Sequence, residues 1–281
     1  MSAATAAAPS RGAVIAQARN ENFPVASRLL PRHVRRHLLA IYGFARLVDD
    51  IGDEAPGDRL ALLDRIEDEL DRVFAHEDPE HAVMRELAAT VAQCALPDAP
   101  FRRLIEANRR DQAVTSYDSF DELLGYCDLS AAPVGELVLH VFGAATPSRI
   151  ALSDRICAGL QVIEHLQDVA EDRSRGRVYL PREDMAAFGC TDADLDAPAA
   201  CPAVRALVAA EAGRARALLA EGAPLARELP LRPRIAVAGF VAGGRAALDG
   251  LERAGYDVLG AAPSVAAGRL IRGVPKAMAG R

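Results

Sequence analysis

The sequence has no tryptophan, few aromatics (5%) and no excess of positive charge, and each shortage removes a class of protein. No alternating apolar/polar run bounded by hairpin turns stands out, so strands have no foothold. The abundant residues are Ala, Leu, Arg, Glu and Asp, and helix is the expected class. A formal net charge of −6 lacks the basic footprint of a dedicated nucleic-acid binder. The five cysteines (Cys94, Cys127, Cys157, Cys190, Cys201) are scattered, odd in number and form no C-x-x-C, so buried reduced thiols in a cytoplasmic protein are expected. No stretch approaches the ~18 uninterrupted apolar residues of a membrane span. The opening MSAATAAAPSRGA has neither a basic n-region nor a continuous apolar h-region, and reads as a disordered start rather than a signal peptide.

What is present is helical periodicity, almost throughout. The chain has 281 residues, 51% hydrophobic and 26% charged, which suits one large soluble domain. Folding at this size buries roughly three quarters of the unfolded surface, enough for a core without metals or disulfides. Val34, Leu38, Ile41, Ala45 and Val48 fall at steps of three and four, giving 32–54 one apolar face. Further helical patterns cover 57–76, 80–94, 98–113, 119–142, 148–173, 201–221 and 232–254, and Pro133 should kink or break the 119–142 pattern. Proline-rich breakers at 96–100, 146–147, 195–202 and 229–233 separate them. The expectation is a single all-α domain over 19–262, with a disordered tail at 1–18 and a basic tail at 263–281. The basic tail reads first as a disordered end, and second as a weak peripheral contact with anionic lipid on the inner membrane face.

Two acidic stretches break the mixed-charge pattern. In VDDIGDE (48–54), Asp49, Asp50, Asp53 and Glu54 gather with no Lys or Arg among them. Tyr42, Arg46, Asp49 and Asp53 step by four, three and four and share a helix face. An Asp49/Asp53 pair at i,i+4 costs a helix a few tenths of a kcal/mol. A divalent cation between them would turn repulsion into attraction, and carboxylate oxygens suit a hard ion such as Mg²⁺. In EHLQDVAED (164–172), Gln161, Glu164, Asp168 and Asp172 step by three, four and four on a segment too apolar for a plain surface helix. Buried acids need compensation, which metal plus an anionic ligand would supply. A solvated helix end explains either stretch alone; two together favour metal. Arg46 before the first stretch, and Arg173, Arg175 and Arg177 after the second, place cations where a diphosphate's remaining oxygens would lie.

Together AIYGFARLVDDIGDE (40–54), ELLGYCDLSAAPVGEL (122–137) and QVIEHLQDVAEDRSRGRVYLP (161–181) resemble the squalene/phytoene synthase family, over about residues 20 to 260. The resemblance implies an isoprenoid-synthase helical bundle with a central cavity between two Asp-rich helices. It also implies a prenyl diphosphate substrate and about three Mg²⁺ ions bound with the diphosphate. Carried over by position, Asp49, Asp53, Asp168 and Asp172 resemble the metal-binding acids, with Asp50 as a contributor. Arg46 and Arg177 resemble diphosphate contacts, while Phe23, Tyr42, Tyr126, Gln161 and Tyr179 match cavity positions; Asn22, a substrate-binding candidate, departs from the Ser that commonly precedes the Phe. Condensing members usually carry Asn where this chain has Glu164, and a diphosphate-binding Arg where it has Gln167. No late-helix Tyr is evident near 244–248.

ENFPVASRLLP (21–31) and EHLQDVAEDR (164–173) look instead like the bacterial hydroxysqualene synthase branch. That likeness implies conversion of presqualene diphosphate to hydroxysqualene without a reductant, with the substrate handed over by the enzyme that makes it. No G-x-G-x-x-G follows a strand pattern, so NADPH is not expected. Glu164 is the leading candidate to aim the captured water, ahead of His165, with a metal or arginine partner as its equal alternative role. Head-to-head condensation of prenyl diphosphates, and a non-catalytic helical binding protein, are the other readings. Of the other residues, His33 and His37 read as a solvated basic face, Cys127 as packing, His140 as a core histidine and Asp111 as a surface helix acid first and a support of the cavity second.

Overall fold

Helix follows the apolar spacing along the whole described chain. The structure is a computed structural model and describes residues 30–260. The expectations for Asn22, Phe23 and both tails lie outside those residues. Thirteen helices and no strand occur among the described residues, so the fold is all-α as expected. The order is α1 (Arg32–Asp53), α2 (Arg59–Phe74), α3 (Ala82–Cys94), α4 (Ala99–Arg110), α5 (Phe120–Ser130) and α6 (Ala132–Val141). Then follow α7 (Pro147–Gln167), α8 (Val169–Ser174), α9 (Arg182–Phe188), α10 (Asp192–Leu195), α11 (Pro202–Gly222), α12 (Leu225–Glu228) and α13 (Leu231–Arg253).

The apolar faces meet in two clusters. The first joins α1 to α2, α3, α4 and α6, with Phe44 set edge-on to Phe101 at 5.1 Å between ring centroids. The second surrounds α7, α11 and α13. Phe142 and Phe240 pack against both, so the clusters form one continuous interior. Gly222 marks the closest approach of α11 to α7: a Cβ there would lie 2.6 Å from the Leu152 carbonyl oxygen, so no larger residue fits. Surface arginines tie α2 to α4, since Arg102 reaches Glu67 and Asp71 while Arg109 reaches Asp64 and Glu67.

Pro133 acts as its backbone chemistry requires. The chain leaves helix at Ala131 and restarts with the proline in the first turn of α6, where its missing N–H costs nothing. Three readings need correction. The 148–173 pattern is not one helix, because α7 ends at Gln167 and Asp168 turns to φ −104°, ψ 14° before α8 begins. The amides of Asp168 and Asp172 still donate to Glu164 and Asp168 carbonyls at 3.0 and 2.7 Å, so the chain bends without losing its hydrogen bonds. His37 is not on a solvated face: it is buried, and its Nδ1 lies 3.1 Å from Thr90 Oγ1. The short helices α9, α10 and α12 fall in segments to which the apolar spacing assigns no helix. All five cysteines are free, three of them buried.

Candidate active site

The end of α1 is held from two sides. Arg59, opening α2, donates to the carbonyls of Gly52, Asp53 and Ala55 at 3.0, 2.9 and 3.0 Å. Those are the carbonyls a helix leaves unpaired at its C-terminus, and a cation there also offsets the helix dipole. From α4, Asn108 Nδ2 donates to Asp49 Oδ1 at 3.2 Å, and Gln112, in the turn after that helix, donates to the Gly52 carbonyl at 3.0 Å. The approach is tight: a Cβ on Gly52 would lie 2.1 Å from Asn108 Oδ1. Arg46 pairs with Asp50 one turn on, at 2.5 Å, and both are largely shielded from water. Asp53, at the very end, is exposed.

The second acidic stretch leads into a loop that is fixed by its neighbour. After Asp172 the chain turns at Gly176, whose φ of +77° favours glycine. It then runs beside residues 115–118. Val178 N donates to Thr115 O, Arg182 N to Tyr117 O and Glu183 N to Asp118 O, at 2.8, 3.0 and 3.0 Å. This short parallel pairing brings Tyr179 against Tyr117, with ring planes 22° apart and centroids 5.9 Å apart. It also lets Arg177 cross to α1, where Nη1 lies 3.1 Å from Asp53 Oδ1. Burial works against the Arg177 charge, but Tyr179, Asp111 and Asp53 around it keep it protonated. One ion pair thus links the first acidic stretch to the loop that follows the second.

Aromatic rings form a wall beside that link. Tyr126 lies 5.4 Å from Tyr117 and 5.8 Å from Tyr179, and His165 stacks on Tyr179 at 3.7 Å with planes 12° apart. Tyr126 is buried, and its hydroxyl donates to Asp111 Oδ2 at 2.7 Å. Burial, then Tyr179 and Asp111, push the Tyr126 hydroxyl well above its ordinary pKa. Burial likewise pushes the Asp111 carboxyl up to about 6, against the Tyr126 hydrogen bond and Arg177. The other Asp111 oxygen and the Tyr117 hydroxyl are buried without a hydrogen-bond partner. Asp111 is therefore not the surface acid its helical spacing suggested. Its neighbours Arg109 and Arg110 masked it, and only the fold brings Tyr126 onto it.

Along α7 runs an apolar cleft lined by Val138, Phe142, Ile156, Leu160, Val237 and Phe240 among others. Leu160 lines the cleft and Gln161, the next residue, faces the polar end, with Nε2 3.4 Å from His165 Nε2. His165 is buried and its Nδ1 lies 3.9 Å from Asp172 Oδ2. The sequence ranked it behind Glu164 for holding a water, yet it is His165 that joins the aromatic wall. Glu164 and Asp168 are half-buried on the same stretch, and Tyr42 is fully buried in α1.

The donors in this region are oxygens, the ligand type Mg²⁺ prefers, and among the described residues no three of His, Cys, Asp or Glu converge into a ready-made cage. Mg²⁺ usually takes one or two carboxylates and completes its shell with water and substrate phosphate. Carboxylates on two separate stretches fit that pattern.

The squalene/phytoene synthase family model matches residues 16–269. A hydroxysqualene synthase of Rhodopseudomonas palustris is 41% identical over 216 residues, which are 75% of this chain and 72% of that protein. A phytoene synthase of Mycobacterium tuberculosis is 35% identical over 170 residues, 60% of this chain and 55% of its own. The crystal structure of squalene synthase HpnC from Alicyclobacillus acidocaldarius superposes with a TM-score of 0.82 at 45% identity, covering 86% of this chain and 93% of that one. By the extent of these matches and by its all-α fold, the chain belongs to the squalene/phytoene synthase family.

Proposed function

We propose that the protein converts presqualene diphosphate to hydroxysqualene. The family is one of enzymes and is generally metal-dependent. The observation that carries the reading is the Arg177–Asp53 ion pair, which spans 124 residues of sequence to join the first acidic stretch to the loop that follows the second, beside the aromatic wall. A diphosphate fits there with its hydrocarbon in the apolar cleft along α7. Asp49, Asp53, Asp168 and Asp172 would hold Mg²⁺, with Asp50 contributing. Bound Mg²⁺ would polarise the diphosphate and take up charge as the C–O bond breaks.

The residues of this chain then have distinct work. Arg177 and Arg46 supply cations to the diphosphate oxygens that carboxylate-bound metal does not reach. The electron pair of the broken C–O bond leaves with diphosphate, and the cyclopropylcarbinyl cation rearranges. Tyr126 and Tyr179, with Tyr42 and Gln161 at its edge, shelter that cation from stray water. An aromatic face contributes about 0.5–2 kcal/mol to a cation it covers. Glu164 aims one water at the rearranged cation and takes the proton released as the new C–O bond forms. No electrons are transferred, so no reductant is needed. Gln167 in place of an arginine supports a site for one diphosphate rather than two.

The test is product identity. The purified protein is incubated with Mg²⁺, without NADPH, and with either presqualene diphosphate or farnesyl diphosphate. Hydroxysqualene formed from presqualene diphosphate alone is the expected result. Presqualene diphosphate formed from farnesyl diphosphate would move the protein to the condensing class, and turnover of neither would leave only a binding role.

A further inference from the structure

The outer face of α13 has an unusual surface. Of the large apolar side chains exposed among the described residues, Leu39, Leu60 and Phe188 stand alone, as scattered surface apolars normally do. Leu231 and Ile235, 68% and 39% exposed, are instead four residues apart on one helix face. Exposed Ala238, Ala242 and Ala246 continue the same stripe. Arg232 flanks it on one side, and Arg234 and Arg245 on the other, all exposed.

Charge is the second observation. No Asp or Glu occurs between Glu228 and Asp249, although the chain carries 39 acids in 281 residues and a net charge of −6. The two bounding acids are already engaged, Glu228 by Arg149 at 3.4 Å and Asp249 by Arg216 at 3.2 Å. Arg232 and Arg245 have no ion-pair partner among the described residues. The Arg234 guanidinium bonds only backbone carbonyls, those of Leu229 and Arg227, and so keeps its charge. An acidic protein thus presents one acid-free, cationic helix face with an apolar stripe along it.

We propose that this face docks the protein on an anionic lipid bilayer. Leu231 and Ile235 enter the boundary between headgroups and acyl chains, and the arginines meet lipid phosphates. This is how a helix with an apolar stripe and cationic flanks lies in a membrane interface. No helix of the described residues is long and apolar enough to cross a membrane, so the contact is peripheral. The opposite face of α13 supplies Val237 and Phe240 to the apolar cleft. The helix therefore stands between the bilayer and the cleft, which shortens the path of a lipid substrate or product. That last link rests on the function proposed above; the docking surface does not.

The full chain is sedimented with vesicles of phosphatidylcholine alone and with phosphatidylglycerol added. Wild type should bind only the anionic vesicles and be released by salt, since surface charge is screened within about 10 Å at 0.1 M. Arg232→Gln with Arg245→Gln should weaken binding about twenty-fivefold, at about fivefold per surface arginine. Leu231→Ser with Ile235→Ser should weaken it at least about tenfold. Arg234 is left alone because its bonds to Leu229 support the fold. Wild type with no preference for anionic vesicles overturns the proposal, as does either double variant binding like wild type, which would assign the contact elsewhere on the chain. A wild-type dimer that the serine variant dissociates would also overturn it, making the stripe an interface between copies. Turnover in detergent micelles separates the two claims. Active variants that no longer bind vesicles support docking, whereas vesicle binding without turnover sinks only the catalytic reading.

Discussion

At the end of α1 the carboxylates stand on an unbroken helix braced by Arg59, Asn108 and Gln112, whereas the second acidic stretch straddles a bend at Asp168. The first stretch owes its geometry to regular spacing plus one tight contact at Gly52. The second bends at Asp168 and runs into a loop fixed by the pairing of residues 178–183 with 115–118, which sets Tyr179 and the adjoining Arg177. Shared spacing therefore does not mean a shared support. Each stretch should fail in its own way when its own support is removed, while loss of a carboxylate from either should fail alike.

The largest effect expected is that shared failure. Asp53→Asn or Asp168→Asn should lower turnover at least about 10²-fold, the scale for losing one transition-state charge contact. Circular dichroism should show the helices intact. Full activity in either variant would remove that carboxylate from the metal set. Tyr126→Phe sharpens the comparison on the loop side. It deletes the hydroxyl that Asp111 accepts and leaves both oxygens of a buried carboxyl without protein partners. Stability should fall by about 1–3 kcal/mol in denaturant unfolding. An unchanged midpoint would mean that the pair contributes nothing.

Much of this arrangement is legible in residue order. Thirteen helices reduce to eight strong periodic patterns plus short turns, and Pro133 announces its own break. The acids and Arg177 stand out by spacing and Tyr179 by likeness, and the structure brings Arg177 to Asp53 and Tyr179 to His165. Three things were not. The bend at Asp168 leaves no mark in the pattern, because both neighbouring amides keep helical partners. Asp111 meets Tyr126 only when α4 and α5 fold together. His37 and His165 look like polar residues on helices; burial of each depends on a contact from another element, Thr90 for one and Tyr179 for the other. Periodicity reports which face is apolar, but not which polar side chain a distant element will cover.

Gly52→Ala tests the brace on the first stretch. The new methyl would sit within bonding distance of Asn108 Oδ1, so Asn108 must move and give up Asp49. Overpacking of this kind costs about 1–3 kcal/mol. Activity should fall with KM for the diphosphate rising, because Asp49 loses its orientation while its charge remains. A variant with wild-type KM and stability would show that the brace is slack.

The smallest effect separates the stretches by pH. The loop of the second stretch runs into α9, where Asp184 accepts both Nη groups of Arg214, which also reaches buried Glu211 on α11. Burial pushes the Glu211 carboxyl up to about 7; Arg214 opposes the shift, and Asp184 and Glu183 add to it. The neutral form is thus the one the fold prefers. Its stabilisation is complete below the ordinary glutamate value near 4.5 and is lost as pH rises through about 7. Glu211→Gln fixes the side chain in its neutral state. The variant should therefore melt at a higher temperature than wild type above pH 7, with the gap closing as pH falls toward 4.5. A melting difference that stays constant across that range would mean Glu211 does not titrate there, and that the second stretch rests on a support as insensitive to pH as the first.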